Sequence, residues 1–362
     1  MGASVKVDAL QHVVERAALA GFRRQGAVSC GGASRLFRTE DGWIAVSLPR
    51  VEDLEAVPAW LETEVPDGES VWDTVSRVSS RRATSTLVER GTWLGLALGA
   101  LPGTTRPSDR GCPIVVDPSG ASVPEAGRTS LRGLVVVDLS SLWAGPLCSH
   151  LLRLGGAEVI KVESKSRPDG ARRAPGRFFD ALNAGKKMVA LDFDDDRGDL
   201  KILHRLVERA DVVIESTRPR ALRQHGFDAD TVAASGPRPK VWLSITGHGR
   251  TDPGAMRVAF GDDAAVAGGL VVFDAAGPCF CADAIADPAT GLYAARAALE
   301  LLAAGCGGVV DVAMSRVAAA LSGPTIESAA DVPIAPPKAR VPIDTAGELG
   351  RDTNDVVSAL QS

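Results

Sequence analysis

The sequence has no stretch that could cross a membrane. Its longest apolar run covers residues 93–101, which is well short of the roughly 20 residues that a membrane helix needs. The first residues also lack the apolar segment of an export signal. We therefore expect a cytoplasmic protein that does not associate with a membrane.

The chain also lacks a dominant charge. It carries 40 basic and 45 acidic residues, for a net charge of −5. Such a balance offers no general attraction to nucleic acid, so no nucleic-acid partner is expected. Apolar residues make up 45% of the 362 residues, enough for two domains with full cores.

Neither cysteine nor histidine is clustered. The six cysteines are scattered in a chain without an export signal, which favours reduced thiols over disulfides. Cys279 and Cys281 form a C-x-C pair, which lacks the two-residue spacer and the second ligand pair of a zinc site. The five histidines are dispersed as well. The sequence therefore predicts no metal.

The best-defined stretch is residues 131–163, LRGLVVVDLSSLWAGPLCSHLLRLGGAEVIKVE. Residues 134–137 form a short β-branched apolar run, which is typical of a strand buried on both faces. Ser140 and Ser141 offer N-cap hydroxyls to a helix that begins near Ala144 and ends at a glycine pair. A second strand follows at 157–162. This pattern predicts a β-α-β unit in a parallel sheet.

The alternation of strands and helices continues beyond this unit. Apolar strand patterns lie at 188–193, 212–215, 241–246 and 308–312, separated by helical patterns at 198–209, from 221, and at 291–304. The predicted fold class is α/β, with an open, parallel, Rossmann-like sheet covered by helices on both faces. Residues 131–323 would form this domain.

The N-terminal part has a different pattern. A helix with Leu10 on its apolar face is predicted to end at Gly21. A hairpin with an Asp41-Gly42 turn and three helical segments follow, with Trp93 among the tryptophans available to the core. We predict a small α+β domain at 1–100, a proline-rich linker at 101–130, and an extended segment with a short helix at 324–362.

The chain resembles the class III CoA-transferases, the family of formyl-CoA transferase, carnitine CoA-transferase and α-methylacyl-CoA racemase. The resemblance begins in the stretch 131–163 and continues, in family order, through matching motifs almost to residue 320. These motifs are Asn183-x-Gly185-Lys186-Lys187, ERADVVIESTRPRAL (208–222), LSITGHG (243–249), AIADPATGLYAA (284–295) and VVDVAM (309–314). The resemblance implies CoA transfer between carboxylic acids by an interlocked homodimer.

One feature departs from the family. The hairpin SRLFRTEDGWIAVSL resembles the family's small domain, which normally follows the VVDVAM helix, whereas here it stands first. Two segments of the chain are similar in sequence, which agrees with such a rearrangement. They are VKVDALQHVVERAALAG at the N-terminus and GVVDVAMSRVAAALSG at 308–323. The sequence thus indicates a family member with the small domain placed N-terminally.

The resemblance implies that Asp287 is the nucleophile. In the family, the carboxylate that opens D-x-x-x-G before the GLYAA helix attacks the acyl-CoA thioester and forms an aspartyl-CoA intermediate. An aspartate needs no base for this step because it is ionised at neutral pH. The alternative is that Asp287 only caps the following helix.

Asp262 and Asp263 lie where the family carries a second acidic residue, and Asp262 is preferred as the helper. The racemases have a histidine before that acid, and this chain has Phe260. Moving a proton next to a thioester needs an acid and a base on opposite faces, so the missing histidine argues against racemase activity. Paired carboxylates also occur in glycosidases, but a sugar-binding set of aromatic residues is lacking.

CoA would bind at the loop ends of the sheet. The resemblance implies contacts with acyl-CoA from residues in the helix-start motif, the lysine motif, the strand-end motif and a glycine loop: Trp143, Ala144, Gly145, Asn183, Lys186, Lys187, Ser216, Arg218, Gly31 and Gly32. The plain alternative for each lysine or arginine is a solvated surface charge, and for the glycines a simple turn.

Two rival functions stay open. Glu163 ends the second strand where a ribose-binding acid of an NAD enzyme would sit, but the preceding turn lacks G-x-G-x-x-G. The rearranged order also fits an inactive paralogue that serves as a partner subunit. Retention of all three aspartates speaks against that paralogue.

Overall fold

A computed structural model describes residues 6–103, 112–117, 129–175, 177–194, 198–235, 238–323, 336–342 and 344–361. Parts of the predicted linker and of the predicted C-terminal segment therefore lie outside the described residues. Within the described residues, no helix combines the length and the apolarity needed to cross a membrane.

The first helix, α1 (Ala9–Ala20), ends where the sequence predicts. The Asp8 side chain accepts a hydrogen bond from the Gln11 N–H at its start, and Gly21 closes it with φ 68°, a left-handed conformation that glycine adopts easily. The predicted apolar face is wrong at Leu10, which is 78% exposed. His12 and Glu15 are the buried residues of this helix.

A small antiparallel sheet follows. Its strands are β1 (Ser34–Arg38), β2 (Trp43–Ser47) and β3 (Ala97–Ala100), in that order. The predicted Asp41-Gly42 hairpin is confirmed, with Arg38 paired to Trp43. The helices between β2 and β3 are α2 (Val51–Glu55), α3 (Val57–Leu61), α4 (Val71–Ser79) and α5 (Thr84–Trp93).

The small sheet and its helices share one apolar core, in which Trp60 is fully buried and donates its indole N–H to the Leu87 carbonyl. Trp93 does not join this core, because it ends α5 on the solvent side and stays 74% exposed. The expectation that all four N-terminal tryptophans are available to the core is therefore wrong for Trp93.

The described residues of the larger part of the chain form nine further strands. They are β4 (Ile114–Asp117), β5 (Val135–Asp138), β6 (Glu158–Ser164), β7 (Lys187–Leu191), β8 (Val212–Glu215), β9 (Val241–Thr246), β10 (Val271–Asp274), β11 (Gly277–Phe280) and β12 (Gly308–Ala313). The helices are α6 (Ala144–Leu154), α7 (Phe178–Asn183), α8 (Asp199–Arg209), α9 (Pro219–Gln224), α10 (Ala229–Ala234), α11 (Gly261–Ala267), α12 (Ala286–Ala304), α13 (Met314–Leu321) and α14 (Thr353–Gln361). Strands β10 and β11 form a separate hairpin.

The other seven strands form one sheet in the order β4-β12-β9-β8-β5-β6-β7. Its six parallel strands, numbered along the chain from β5, stand in the order 3-2-1-4-5-6 of dinucleotide-binding folds. The order reverses between β5 and β8, and folds of this kind bind their ligands at that point, beyond the carboxyl ends of the strands. This arrangement confirms the predicted α/β fold with a large, mostly parallel sheet.

The prediction of a wholly parallel sheet needs one correction. Strand β4 pairs antiparallel with β12, with Ile114 opposite Val312. It lies inside the predicted linker, where the prolines on both sides concealed a four-residue strand. Parallel sheets often carry such an antiparallel edge strand.

Both faces of the large sheet are buried. Helices α6, α11, α12 and α13 pack on one face, and α8 and α14 pack on the other. The first face is rich in alanine from α12, which allows close helix packing. Helix α1 contacts α7 and α12 of this large unit, and the small sheet contacts α11 through β2 and β3.

Candidate active site

Asp287 lies in the first turn of α12, at the carboxyl edge of the large sheet. The N-cap of this helix is Ile285, and no side chain caps it. The alternative that Asp287 serves as the N-cap is therefore wrong. Its carboxylate therefore has no capping role. The residue as a whole keeps part of its surface exposed, whereas its carboxyl group is desolvated by burial.

Two more carboxylates stand near Asp287. Asp262, at the start of α11, accepts hydrogen bonds from the Ala284 N–H at 3.0 Å and from the Ser34 hydroxyl at 3.1 Å. Asp283 comes just before α12 and is almost fully buried. Both acid groups lie within electrostatic range of Asp287.

The countercharge is Arg16, which α1 supplies. Its Nε and Nη2 donate to the two oxygens of Asp283 at 2.7 and 2.5 Å. The guanidinium also lies 5.0 Å from the centroid of the Trp143 ring, a cation–π distance. Trp143 itself is 1% exposed and packs edge to face against Phe178, so the arginine rests on an immobile aromatic surface.

The electrostatic environment raises the pKa of Asp287 to about 7. Desolvation by burial is the largest cause, and the negative charges of Asp262 and Asp283 act in the same direction, while Arg16 and the Gly261 backbone N–H oppose them. The pKa of Asp262 is raised as well, mainly by its burial. The cluster therefore contains one carboxylate, that of Asp287, whose pKa lies near neutral pH.

Two glycines allow these elements to approach one another. A Cβ on Gly261 would lie 2.5 Å from Asp287 Oδ2 and would collide with the Ala284 carbonyl. A Cβ on Gly291, one turn after Asp287, would lie 2.5 Å from the Ala144 carbonyl oxygen. The glycine of the D-x-x-x-G motif thus brings the start of α6 against α12, close to the carboxylate.

Asp263 faces away from the cluster. Its Oδ1 accepts hydrogen bonds from the Ser47 hydroxyl and the Phe260 N–H, and burial raises its pKa to about 7. The structure thus gives Asp263 the role of joining α11 to the small sheet, and it places Asp262 nearer to Asp287. Phe260 packs under the Arg50 guanidinium at 5.6 Å.

Lys186 has a different role from the predicted phosphate contact. Its ammonium is buried and hydrogen-bonds to Asp138, Ser149, Asn183 and the Pro146 carbonyl, at 3.2, 2.7, 2.8 and 3.0 Å. With four protein partners, this ammonium is fully occupied inside the fold. The buried Asn183 belongs to the same network, because its Oδ1 accepts from Lys186, while its side-chain N–H₂ donates to the Phe179 carbonyl.

This buried network holds the loop before α6. Asp138, at the end of β5, accepts hydrogen bonds from the Ser140 and Ser149 hydroxyls, and nearby Lys161 donates to the Ser140 carbonyl at 2.9 Å. The Ser140 hydroxyl is thus used by Asp138, and the predicted cap by Ser140 or Ser141 is wrong: the N-cap is Trp143 and has no side-chain hydrogen bond.

Gly145 packs directly against this loop. A Cβ there would collide with the Ser140 side chain. The start of α6, with Trp143 and Ala144, is therefore held between the loop that follows β5 and helix α12.

Lys187 lies at the wrong end of the sheet for a ligand at Asp287. It opens β7 and donates to Glu158, which opens β6, at 2.7 Å. Both residues mark the amino edge of the parallel strands, whereas α12 begins at the carboxyl edge. The predicted CoA contact by Lys187 is therefore not supported.

Ser216 and Arg218 follow β8 at the point where the strand order reverses. The Ser216 hydroxyl accepts a hydrogen bond from the Ser141 N–H at 3.4 Å, so it joins the loop after β5. Arg218 lines a cleft of about 1550 Å³ between α5 of the small unit and the carboxyl edge of the large sheet, with His248, Met256 and Arg257. Asp287 is not among the residues that line this cleft.

Cys30, which precedes the predicted glycine loop, lies near the carboxylates. The Cys30 thiol donates to the Ala282 carbonyl at 3.5 Å, and burial with the charges of Asp283 and Asp262 raises its pKa to about 11. Gly32 has φ 78°, which a larger residue adopts only with strain. Gly31 and Gly32 therefore form a tight turn beside the acidic cluster.

The Glu163 carboxylate is not available to bind a ribose, because protein groups occupy it. Its carboxylate accepts a bidentate hydrogen bond from Arg172 and a further one from the Asp169 N–H at 2.9 Å. The basis for an NAD enzyme is thereby removed. In the part of the chain that the structure describes, no three or more histidine, cysteine, aspartate or glutamate side chains are arranged so that they could hold a metal ion.

Sequence reasoning missed Arg16 and Asp283. Asp283 is only four residues from Asp287, but nothing in its local pattern distinguishes it from a loop aspartate. Arg16 is 267 positions from its partner and lies in a helix predicted to belong to the small domain. A contact over that distance in sequence has no local signal.

The family model of CoA-transferase family III matches residues 131–344. An acyl-CoA transferase of Fusarium pseudograminearum is 31% identical over 197 residues, covering 49% of this chain and 43% of that protein. A succinate–glutarate CoA-transferase of Agrobacterium fabrum is 32% identical over 216 residues, covering 54% and 53%. The chain thus spans about half the length of the curated relatives it matches.

Among solved structures, a hypothetical protein of Mycobacterium tuberculosis is 31% identical, with a TM-score of 0.49. The match covers 54% of this chain and 58% of that one.

Proposed function

Because the chain belongs to CoA-transferase family III, we propose that it moves CoA between carboxylic acids through a covalent intermediate on Asp287. The observation that carries the proposal is the position of this carboxylate. It opens α12 at the carboxyl edge of the sheet, has no capping role, and lies beside two further acids and one arginine.

In the first half-reaction, an ionised Asp287 oxygen attacks the thioester carbon of the donor acyl-CoA. The carbon–sulfur bond breaks, and CoA leaves as a thiolate with the electron pair, which leaves a mixed anhydride on the aspartate. The thiolate then attacks the aspartyl carbon of the anhydride. The donor acid departs as a carboxylate, and an aspartyl-CoA thioester remains.

In the second half-reaction, the acceptor carboxylate attacks the aspartyl carbon and again releases CoA thiolate. The thiolate attacks the acyl carbon of the acceptor in the new anhydride, and Asp287 leaves as a carboxylate. The steps conserve charge and use no oxidant or metal. The form that attacks is the ionised carboxylate, and burial raises the pKa of Asp287 to about 7.

We assign Asp262 a supporting role in this sequence. It binds the Ala284 N–H, which belongs to the turn before α12, and its charge acts on Asp287. It thus helps to fix the position of the nucleophile and its degree of ionisation. Asp263, bound to the small sheet, is left out of the chemistry.

Trp143, Ala144 and Gly145 are buried at the start of α6, so they would support the wall of the thioester site rather than contact CoA through exposed surface. Arg218, on the wall of the large cleft, is placed at the carboxyl edge where a phosphate is expected in this fold. The glycine turn at 31 and 32 would close over the intermediate.

Trapping with hydroxylamine tests the proposal. The protein is incubated with a panel of CoA thioesters that includes acetyl-CoA and succinyl-CoA, then treated with hydroxylamine and analysed by peptide mass spectrometry. We expect a hydroxamate at Asp287. The Asp287→Ala variant should lose acyl exchange completely and keep CoA affinity within about tenfold, or about 1.4 kcal/mol.

The matched control is Asp355→Asn, which changes an exposed aspartate on α14 and should leave labelling unchanged. A wild-type chain that binds CoA without labelling by any thioester would contradict the covalent route. If it binds no CoA either, the chain is a partner subunit that does not itself catalyse transfer.

A further inference from the structure

The guanidinium of Arg16 has a hydrogen-bond donor group that the described part of the protein does not use. Its Nε and Nη2 are both engaged by Asp283, while no hydrogen bond from its Nη1 occurs within the part of the chain that the structure describes. The side chain keeps 28% of its surface exposed. One side of the guanidinium fork is thus held and the other is open.

The orientation of the arginine is strongly determined. The buried Trp143 lies beneath the guanidinium at 5.0 Å. Its partner Asp283 stands between Ala282 and Ala284, which have φ values of 55° and 44°. Non-glycine residues in this region are strained, and such strain persists where surrounding contacts impose one conformation. The open side of Arg16 is therefore presented in a fixed direction.

The charges near Arg16 are not balanced. One guanidinium faces the carboxylates of Asp262, Asp283 and Asp287. While Asp287 is ionised, a further carboxylate from a substrate would be repelled from this place. Once Asp287 carries an acyl group or a CoA thioester it has no charge, and the site can accept one negative charge in its place.

We propose that Arg16 binds the carboxylate group of the acid substrate while Asp287 is covalently occupied. This inference rests on the proposed function and assigns Arg16 as the residue that recognises the acceptor. The carboxylate would take the open Nη1 side of the fork, beside the aspartyl carbon that it attacks. Arg16 would then favour the acceptor only after the first half-reaction has removed the charge of Asp287.

The test separates the two half-reactions in Arg16→Met. Formation of the intermediate is measured by hydroxylamine trapping, since neutral hydroxylamine needs no carboxylate site. Transfer is measured as a function of acceptor concentration, with acetate, succinate and glutarate as probes. Both are followed at pH 9. The variant lacks the arginine charge that lowers the pKa of Asp287, and the high pH keeps Asp287 ionised in spite of that loss.

We expect trapping within about threefold of the wild type and a KM for the acceptor that rises roughly 10- to 100-fold, the usual loss for a charge-assisted hydrogen bond. The KM for the acyl-CoA should stay nearly constant. Arg16→Lys should recover part of the acceptor affinity, because it restores the charge without the planar fork.

Arg172→Met is the matched control. Arg172 also forms a bidentate pair with a buried carboxylate, Glu163, and also lies over an aromatic ring, that of Phe179 at 4.3 Å. It does not face Asp287. Its loss removes a contact of the same kind and should leave the KM for the acceptor unchanged.

Three results would overturn the inference. An unchanged KM for every acceptor in Arg16→Met shows that the residue does not bind them. Equal loss of trapping and transfer at pH 9 shows a structural role only. If the wild type is never trapped, the proposed function itself fails, and the role of Arg16 falls with it.

Discussion

At the scale of single residues, the chemistry of Asp287 is set by its neighbours. Two carboxylates and burial raise its pKa to about 7, and one arginine limits the rise. An aspartate in water would be ionised throughout the physiological range. In this site the raised pKa brings the ionisation of the same group close to neutral pH, so its reactivity depends on charges contributed by α1, by α11 and by the turn before α12.

This dependence predicts a pH profile. Since only the ionised carboxylate attacks, the rate of trapping should fall about tenfold for each pH unit below 7 and level off above 8. Asp283→Asn removes a negative charge that raises this pKa, so the midpoint should move to lower pH. Single-turnover trapping between pH 5 and 9 measures both curves.

Asp355→Asn again provides the control, because an exposed aspartate on α14 should not move the midpoint. A midpoint that stays the same in Asp283→Asn would show that this charge does not act on the nucleophile.

At the scale of secondary-structure elements, the motifs that carry the family resemblance build the support of the site. Asp138 ends β5, Lys161 lies in β6, and Lys186 precedes β7, and their buried charges meet under the loop that leads into α6. Burial lowers the pKa of Lys186 to about 8, with the Asp138 charge opposing it. The ammonium is thus held charged by its partners at neutral pH.

Two adjacent lysines make this assignment testable. Lys186→Met leaves the buried Asp138 without its countercharge and should lower the free energy of unfolding by about 3–5 kcal/mol. Lys187→Met removes an exposed pair with Glu158 and should cost about 0–1 kcal/mol. Urea denaturation measures both. A stable Lys186→Met protein with weakened CoA binding would restore the phosphate role.

At the scale of the whole molecule, distant parts of the chain meet around one site. Arg340, from the C-terminal segment, donates to Glu15 of α1 at 2.7 and 2.8 Å and to the carbonyl of Ala181 in α7. It thereby holds α1, and with it Arg16, against the large unit.

The resemblance to the family predicts a homodimer, in which two chains interlock and both contribute to each site. Light scattering of the purified chain should give twice the mass of 37.6 kDa. A monomeric mass together with normal trapping at Asp287 would show that a single chain completes the site.

Local sequence patterns account for the strands and helices of the large unit. Strands 212–215 and 241–246 have the predicted bounds, and α6 begins and ends at Ala144 and Leu154, close to the prediction. These segments follow local rules, since buried strands are short and apolar, and helices end at glycines. The same rules located the Asp41-Gly42 turn.

Which polar residues meet depends on packing and could not be predicted from local patterns. A lysine in Asn-x-Gly-Lys-Lys is compatible with a solvated or a buried position, and packing placed Lys186 inside and Lys187 outside. Arg16 binds Asp283, which is 267 positions away in sequence, so no local sequence pattern could predict this ion pair. Electrostatic neighbours depend on distance in space, and that distance is set by how the helices pack on the sheet.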